Sequence, residues 1–228
     1  MAAPVVLDGV VPVDPSERWR HPLSMTVRDG AFVAIRTVPA LSEQLFRFIL
    51  GADQPATGTV STFGQAPGQL PGRDVRALRA RIGSVLRPDG LVANMSVWKN
   101  ITLPLIFASG LTRAQVADRA EEVIDSFGLG PVASLRPHAV SPDQRQIAAL
   151  ARAVATSPSL LLLDEPLASV GSVDTGPLFS LCRQFVPTIL AATHRRNTAL
   201  YDSAEEVMLW DELGYRPAAA YAGEEVSA

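Results

Sequence analysis

Only one of the 228 residues is a cysteine, and of the twenty basic residues only Lys99 is a lysine. The lone thiol, Cys182, excludes a disulfide framework. It sits in Leu178-Phe179-Ser180-Leu181-Cys182-Arg183 with no His or Asp motif around it, which makes it a buried small hydrophobe rather than a nucleophile. Any lysine-dependent chemistry must use the single position 99. Charge of one sign is scarce as well: the net charge is −3 with no run of like charges, so the electrostatic footprint of nucleic-acid binding is missing. Long hydrophobic runs are absent. The longest mostly apolar stretch without a charge, Asn100 to Thr112, contains Pro104 and Gly110 and falls short of the roughly 18–20 residues that cross a bilayer. No basic region followed by a sustained apolar segment opens the chain, so a cytoplasmic location is expected.

What is present is a core. Apolar residues make up 47% and charged residues 19%, the balance of a chain that folds, and 228 residues allow one large domain or one domain with an inserted subdomain. Val5 to Val13 and Leu23 to Val27 alternate as antiparallel strands do, and a turn at Arg28-Asp29-Gly30 leads into the buried run Ala31 to Ile35. From Leu41 to Leu50 the apolar residues recur at helical spacing and Gly51 closes the helix. Gly58 to Ser61 reads as an edge strand, Arg73 to Arg81 as a helix and Ile82 to Leu86 as a strand. The segment 88–140 changes character, with a helix at Thr112 to Phe127 and loops around Pro104, Gly128, Gly130 and Pro131, and is expected to be an inserted helical subdomain. A helix from Ser141, the strand Leu160 to Leu163, a helix at 177–185, the strand Thr188 to Ala192 and a last strand near Glu206 to Trp210 complete the pattern. Strands alternating with helices imply a mostly parallel, covered sheet.

The strongest chemical signal is Leu160-Leu161-Leu162-Leu163-Asp164-Glu165-Pro166, an apolar strand that ends in two acids. Carboxylates at the C-terminal edge of a parallel sheet lie where such sheets bind ligands. In nucleotide hydrolases an acid there orients Mg²⁺ and another polarises the attacking water. Thr193-His194 follows the apolar strand Ile189 to Ala192, and a histidine at a neighbouring strand end can hydrogen-bond a γ-phosphate or that water.

In order and spacing these segments resemble the ATP-binding-cassette (ABC) transporter ATPases over nearly the whole chain. Leu160 to Pro166 looks like their Walker B strand, His194 like their switch histidine, and Ala148 to Ala153 like the helix that follows their signature loop. Gly30 to Ile35 and Leu45 to Gly51 look like the strand and helix that flank their phosphate loop. Arg87 to Leu105 is most similar to the ATPases of Mla/MCE-type phospholipid transporters. The resemblance implies an α/β ABC-type nucleotide-binding domain: a P-loop NTPase-like, mostly parallel sheet with an antiparallel β subdomain and the inserted helical subdomain. The α/β core would span 1–87 and 141–214, and 215–228 would be a flexible tail. It also implies Asp164 as the Mg²⁺ residue, Glu165 and His194 as catalytic residues, and Trp19 as an adenine-stacking aromatic.

The departures are specific. A phosphate loop, G-x-x-x-x-G-K-[ST], needs glycines so that backbone N–H groups approach the phosphates, a lysine for charge and a hydroxyl for Mg²⁺. Between the matching strand and helix stands Arg36-Thr37-Val38-Pro39-Ala40-Leu41-Ser42-Glu43-Gln44, one residue short, with no glycine and no lysine. Counting back from Leu45 puts Ser42 in the lysine's place, and Arg36 is a cation at a different position. Each lost charge-assisted hydrogen bond is worth about 1.5–3 kcal/mol, so three of them weaken binding by about a thousandfold or more. The signature loop reads Val140-Ser141-Pro142-Asp143-Gln144, the Q-loop glutamine corresponds to Arg87, and the D-loop aspartate to Gly171. The resemblance and its departures together imply a degenerate ATP-binding subunit, a pseudo-ATPase with no high-affinity cofactor. It would lie on the inner face of the membrane against a permease, paired with an intact ATPase subunit or a second copy. The alternatives are a slow Mg-ATPase with a reshaped loop, which would take Mg-ATP, and a soluble interaction protein that kept the fold. Leu91, Met95, Val97, Trp98, Leu103, Leu105, Ile106 and Phe107 form the apolar set on which a permease helix would dock.

Overall fold

The computed structural model describes residues 3–13, 19, 21–86, 90–107, 110–167, 175–194, 197–211 and 214–218. Two sheets organise them. Strands β1 (Val5–Pro12), β2 (Leu23–Val27) and β4 (Pro55–Thr62) form an antiparallel sheet in the order β2-β1-β4. The larger sheet runs β5-β6-β7-β3-β8-β9, made from β3 (Phe32–Arg36), β5 (Ile82–Val85), β6 (Leu160–Asp164), β7 (Thr188–Thr193), β8 (Glu206–Asp211) and β9 (Gly214–Pro217). Every pairing in it is parallel except β8 with β9. Parallel strands covered on both faces need apolar side chains throughout, and β6 and β7 are buried at every position.

The alternation of side chains along these strands assigns each to one of two cores. Phe32, Ala34, Leu161, Leu163, Ile189 and Ala191 belong to one face, and Val33, Ile35, Leu160, Leu162, Leu190 and Ala192 to the other. The second face is covered by α1 (Pro39–Ile49), whose Leu41, Leu45, Phe46, Phe48 and Ile49 are buried against it. The first face carries α5 (Pro142–Val154) and α6 (Gly176–Phe185), and beyond them α3 (Val97–Phe107) and α4 (Arg113–Ser126). The short helices α2 (Gly72–Arg79) and α7 (Thr198–Ser203) complete the order. No helix among the described residues is long and apolar enough to cross a membrane.

The α/β architecture and its parallel sheet, antiparallel subdomain and helical insertion are those expected. Three elements differ. The stretch around Pro104, expected as loop, is helix α3, with Pro104 inside it. The edge strand around Gly58 extends to eight residues, Pro55–Thr62. The expected tail from 215 instead begins in β9, which pairs Trp210 with Tyr215 across a hairpin.

Candidate functional site

The parallel register aligns three strand ends. Asp164 on β6 lies opposite Ala192 on β7, and Thr193 on β7 lies opposite Arg36 on β3. Asp164 therefore points with Leu160 and Leu162 toward α1, and there it meets Ser42. The Ser42 hydroxyl lies 3.0 Å from Asp164 Oδ1, 3.0 Å from the carbonyl of Pro39 and 3.4 Å from His194 Nε2. His194 Nδ1 lies 2.9 Å from Glu165 Oε2, and the same oxygen accepts the His194 backbone N–H at 2.6 Å. Thr193 Oγ1 stands 3.4 Å from the other Glu165 oxygen. Asp164, Glu165 and His194 expose only 6%, 11% and 15% of their side chains. Glu165 adopts φ 50° and Leu167 φ 60°, left-handed backbone that costs energy in residues with a Cβ and that clusters at functional turns.

The sequence reading of Asp164, Glu165 and His194 thus converges on one cluster. It missed the fourth member. Ser42 does not stand in for a lysine: its hydroxyl takes the acid of β6 as partner, the relation of a metal-binding hydroxyl to its carboxylate. Counting from Leu45 could not show this, because it depends on where the helix begins. Helix α1 starts at Pro39, so Thr37 and Val38 are the only residues between β3 and α1. Pro39 contributes no N–H, Val38 makes no side-chain cap, and the Leu41 and Ser42 amides bond the Val38 carbonyl. This corner is short, and it lacks the glycines whose backbone N–H groups approach a phosphate in a phosphate loop. Arg36 does not replace the lysine, since alternation along β3 places it with Phe32 and Ala34, on the face opposite α1. The residues that fit Mg²⁺ are Asp164 and Ser42, a hard-oxygen pair.

Ser141 caps α5 and Pro142 opens it, as expected. The capping box is complete: the Gln144 backbone N–H donates to Ser141 Oγ at 3.1 Å, and Gln144 Oε1 accepts the Ser141 N–H at 3.0 Å. Gln144 is thereby turned back onto its own helix. Trp19 is not available to stack on a base. It is 4% exposed, its indole N–H bonds the Val10 carbonyl at 3.1 Å, and its ring packs edge-to-face on Phe48 and Trp210. Burial pushes the Cys182 thiol up to about 12, in keeping with an inert side chain. Arg87 and Gly171 lie outside the described residues.

Comparison with known proteins places these features in a family. A model described as ABC transporter matches residues 44–168. The methionine import ATP-binding protein MetN of Mesorhizobium japonicum is 34% identical over 177 residues, which are 75% of this chain and 48% of that protein. YknY of Bacillus subtilis, an uncharacterized ABC transporter ATP-binding protein, is 29% identical over 78% of this chain and 80% of its own length. Among solved structures, the dimeric post-hydrolysis state of the ATP-binding cassette MJ0796 with ADP and Pi superposes with a TM-score of 0.77. It covers 91% of this chain and 94% of that one at 23% identity, a likeness of fold. The chain spans about half the length of the methionine-import relatives it matches. The expected likeness to Mla/MCE-type phospholipid transporters is not supported by these relatives.

Proposed function

Because the chain belongs to the ABC transporter family, we propose that it is a cassette subunit of a membrane transporter that has given up its grip on the triphosphate while keeping the strand-end acids. The observation that carries this is the two-residue corner between β3 and α1. The family match itself begins at Gln44, just past that corner, and runs on through the β6 acids. The site that remains closes on itself: Ser42 occupies Asp164, and the end of β7 occupies both oxygens of Glu165.

The companions follow from the surface. Ile106 and Phe107 at the end of α3 are exposed by 62% and 81%, and Leu111 just before α4 by 41%. Beside them a groove of about 370 Å³ lies along the open edge strand β5, lined by Ile82, Gly83, Leu103, Pro104 and Phe107 among others. An apolar-faced permease helix fits such a groove. The subunit would then sit peripherally on the cytoplasmic side, paired with a second copy or an intact ATPase subunit. Since relatives are named for methionine import, a small amino acid is the first cargo to test.

A second reading, a slow Mg-ATPase, is favoured by the four-residue cluster and by Thr37, whose buried hydroxyl has no hydrogen-bond partner among the described residues. Such an open valence suits a phosphate oxygen. In that case Glu165 must leave His194 before it can act as a base. Titration of Mg-ATP into the purified chain, followed by calorimetry, separates the two. No saturation at micromolar nucleotide is the expected result. Micromolar binding together with a turnover abolished by Glu165→Gln would replace the first reading with the second.

A further inference from the structure

We infer that the arginine face of α2 is a contact surface for anionic lipid headgroups. Although the whole chain is acidic, residues 54–88 hold five arginines and the single acid Asp74. Three of the arginines, Arg73, Arg76 and Arg79, recur every three residues along α2, which brings them to one side of the helix, and all three are exposed. Asp74 lies 3.3 Å from Arg73 and offsets part of that one charge. Among the described residues, the neighbouring β4, β5 and turn Pro67–Gln69 contain no charged residue.

The row is held in place. Arg79 Nε donates to the Leu50 carbonyl at 2.7 Å, and the next arginine, Arg81, lies over the Phe63 ring at 3.8 Å from its centroid. A planar guanidinium fork fixed on a firm helix matches phosphate oxygens in pairs, which a flexible ammonium does not. The position also selects a bilayer over other polyanions. Helix α2 leads directly into β5, and the first residues of β5, Ile82 and Gly83, line the groove beside Phe107. A subunit docked through that groove on a membrane-embedded partner holds α2 next to the headgroups. A nucleic acid long enough to extend beyond α2 would meet the acidic remainder of the chain. The placement rests on the reading of the groove as a permease dock; the charge row does not.

The test is sedimentation of the full chain, without any partner, with vesicles of phosphatidylcholine or of phosphatidylcholine and phosphatidylglycerol. Binding is expected only to the anionic vesicles, weakening as salt shortens the Debye length. Arg73→Gln, Arg76→Gln and Arg79→Gln together should lower the partition coefficient about a hundredfold. The corresponding lysine triple, which keeps the charge and loses the paired geometry, should bind between the wild type and the glutamine triple, and Arg113→Gln with Arg136→Gln should change nothing. Thermal melts identify a triple that fails to fold, and the three single variants then carry the comparison. Equal binding to neutral vesicles, no binding to anionic ones, indifference to the triple, or equally tight binding of duplex DNA at the same salt would overturn the inference. Capture of the permease from membranes by the wild-type chain is measured alongside. Its failure counts against the proposed function, and vesicle failure with capture intact counts against the lipid surface alone.

Discussion

Ser42 reaches Asp164 because α1 begins three residues earlier, and Glu165 reaches His194 because β6 and β7 end in register. Each pairing joins residues more than twenty-five positions apart, so sequence spacing could nominate the acids and the histidine but not the serine that closes the cluster. Trp19 shows the opposite error. Its type suits base stacking, yet burial against Phe48 and Trp210 decides its role. Cys182 was legible as core and is open to a sharp test. Its thiol is raised from 9.0 to about 12, first by loss of solvent on burial. A folded state that holds its proton more tightly than the unfolded one loses stability as pH rises between those two values, at up to about 1.4 kcal/mol per pH unit. Urea melts of the wild type and of Cys182→Ala should therefore converge from about pH 9 toward pH 12, with the wild type losing its advantage. At pH 8 a thiol reagent should label only molecules that have unfolded. Rapid labelling of the native chain would show that the side chain is not buried as described.

Helix α3 is the element that sequence reasoning failed to find. Pro104 argued for a loop, and the mostly apolar sequence Val97–Phe107 has no broad polar face to mark a helical period. Tertiary packing overrode both: Val97, Ile101 and Leu105 share a core with Ala120, Val123 and Ile124 of α4. The helix also organises the loop before it through Asn100, which is fully buried. Asn100 Oδ1 accepts the Val92 N–H at 2.7 Å, and its amide group lies within 3.0 to 3.3 Å of the carbonyls of Val92, Met95 and Ser96. Replacement by alanine should cost about 1–3 kcal/mol, since it takes the partner from the half-buried Val92 N–H and Met95 carbonyl. Hydrogen exchange should accelerate first at residues 92–96 and at the start of α3. Loss of protection spread evenly over the chain would mean that Asn100 is only one core residue among many. The elements that were legible, β3, β6, β7 and α5, carry their period or their cap in adjacent residues. Helix α7, six residues capped by Asn197, is too short to show one.

At the scale of the molecule, the helical insertion has no separate core, because one apolar cluster runs from α3 and α4 through α5 to the sheet. Arginines fasten its rim. Arg119 on α4 donates to the Ala155 carbonyl at 2.9 Å and to Ser157 Oγ at 2.6 Å, pairs with Glu122, and lies 4.9 Å from the Phe185 ring centroid on α6. Arg152 on α5 donates to the Gly90 carbonyl at 2.6 Å, tying the start of the insertion to the helix beneath it. Arg119 spans insertion and core, so its loss should loosen the one against the other before it unfolds either. Arg119→Ala should destabilise the chain by about 1.5–3 kcal/mol, the worth of charged hydrogen bonds that are partly shielded from water. The expected signature is faster exchange in α4 and in residues 155–157 at low denaturant, with β6 and β7 still protected. Arg119→Lys should recover little, because an ammonium cannot reach both acceptors and lie along the Phe185 ring at once. Arg119→Ala with unchanged exchange in α4 would place the attachment of the insertion in the apolar cluster alone.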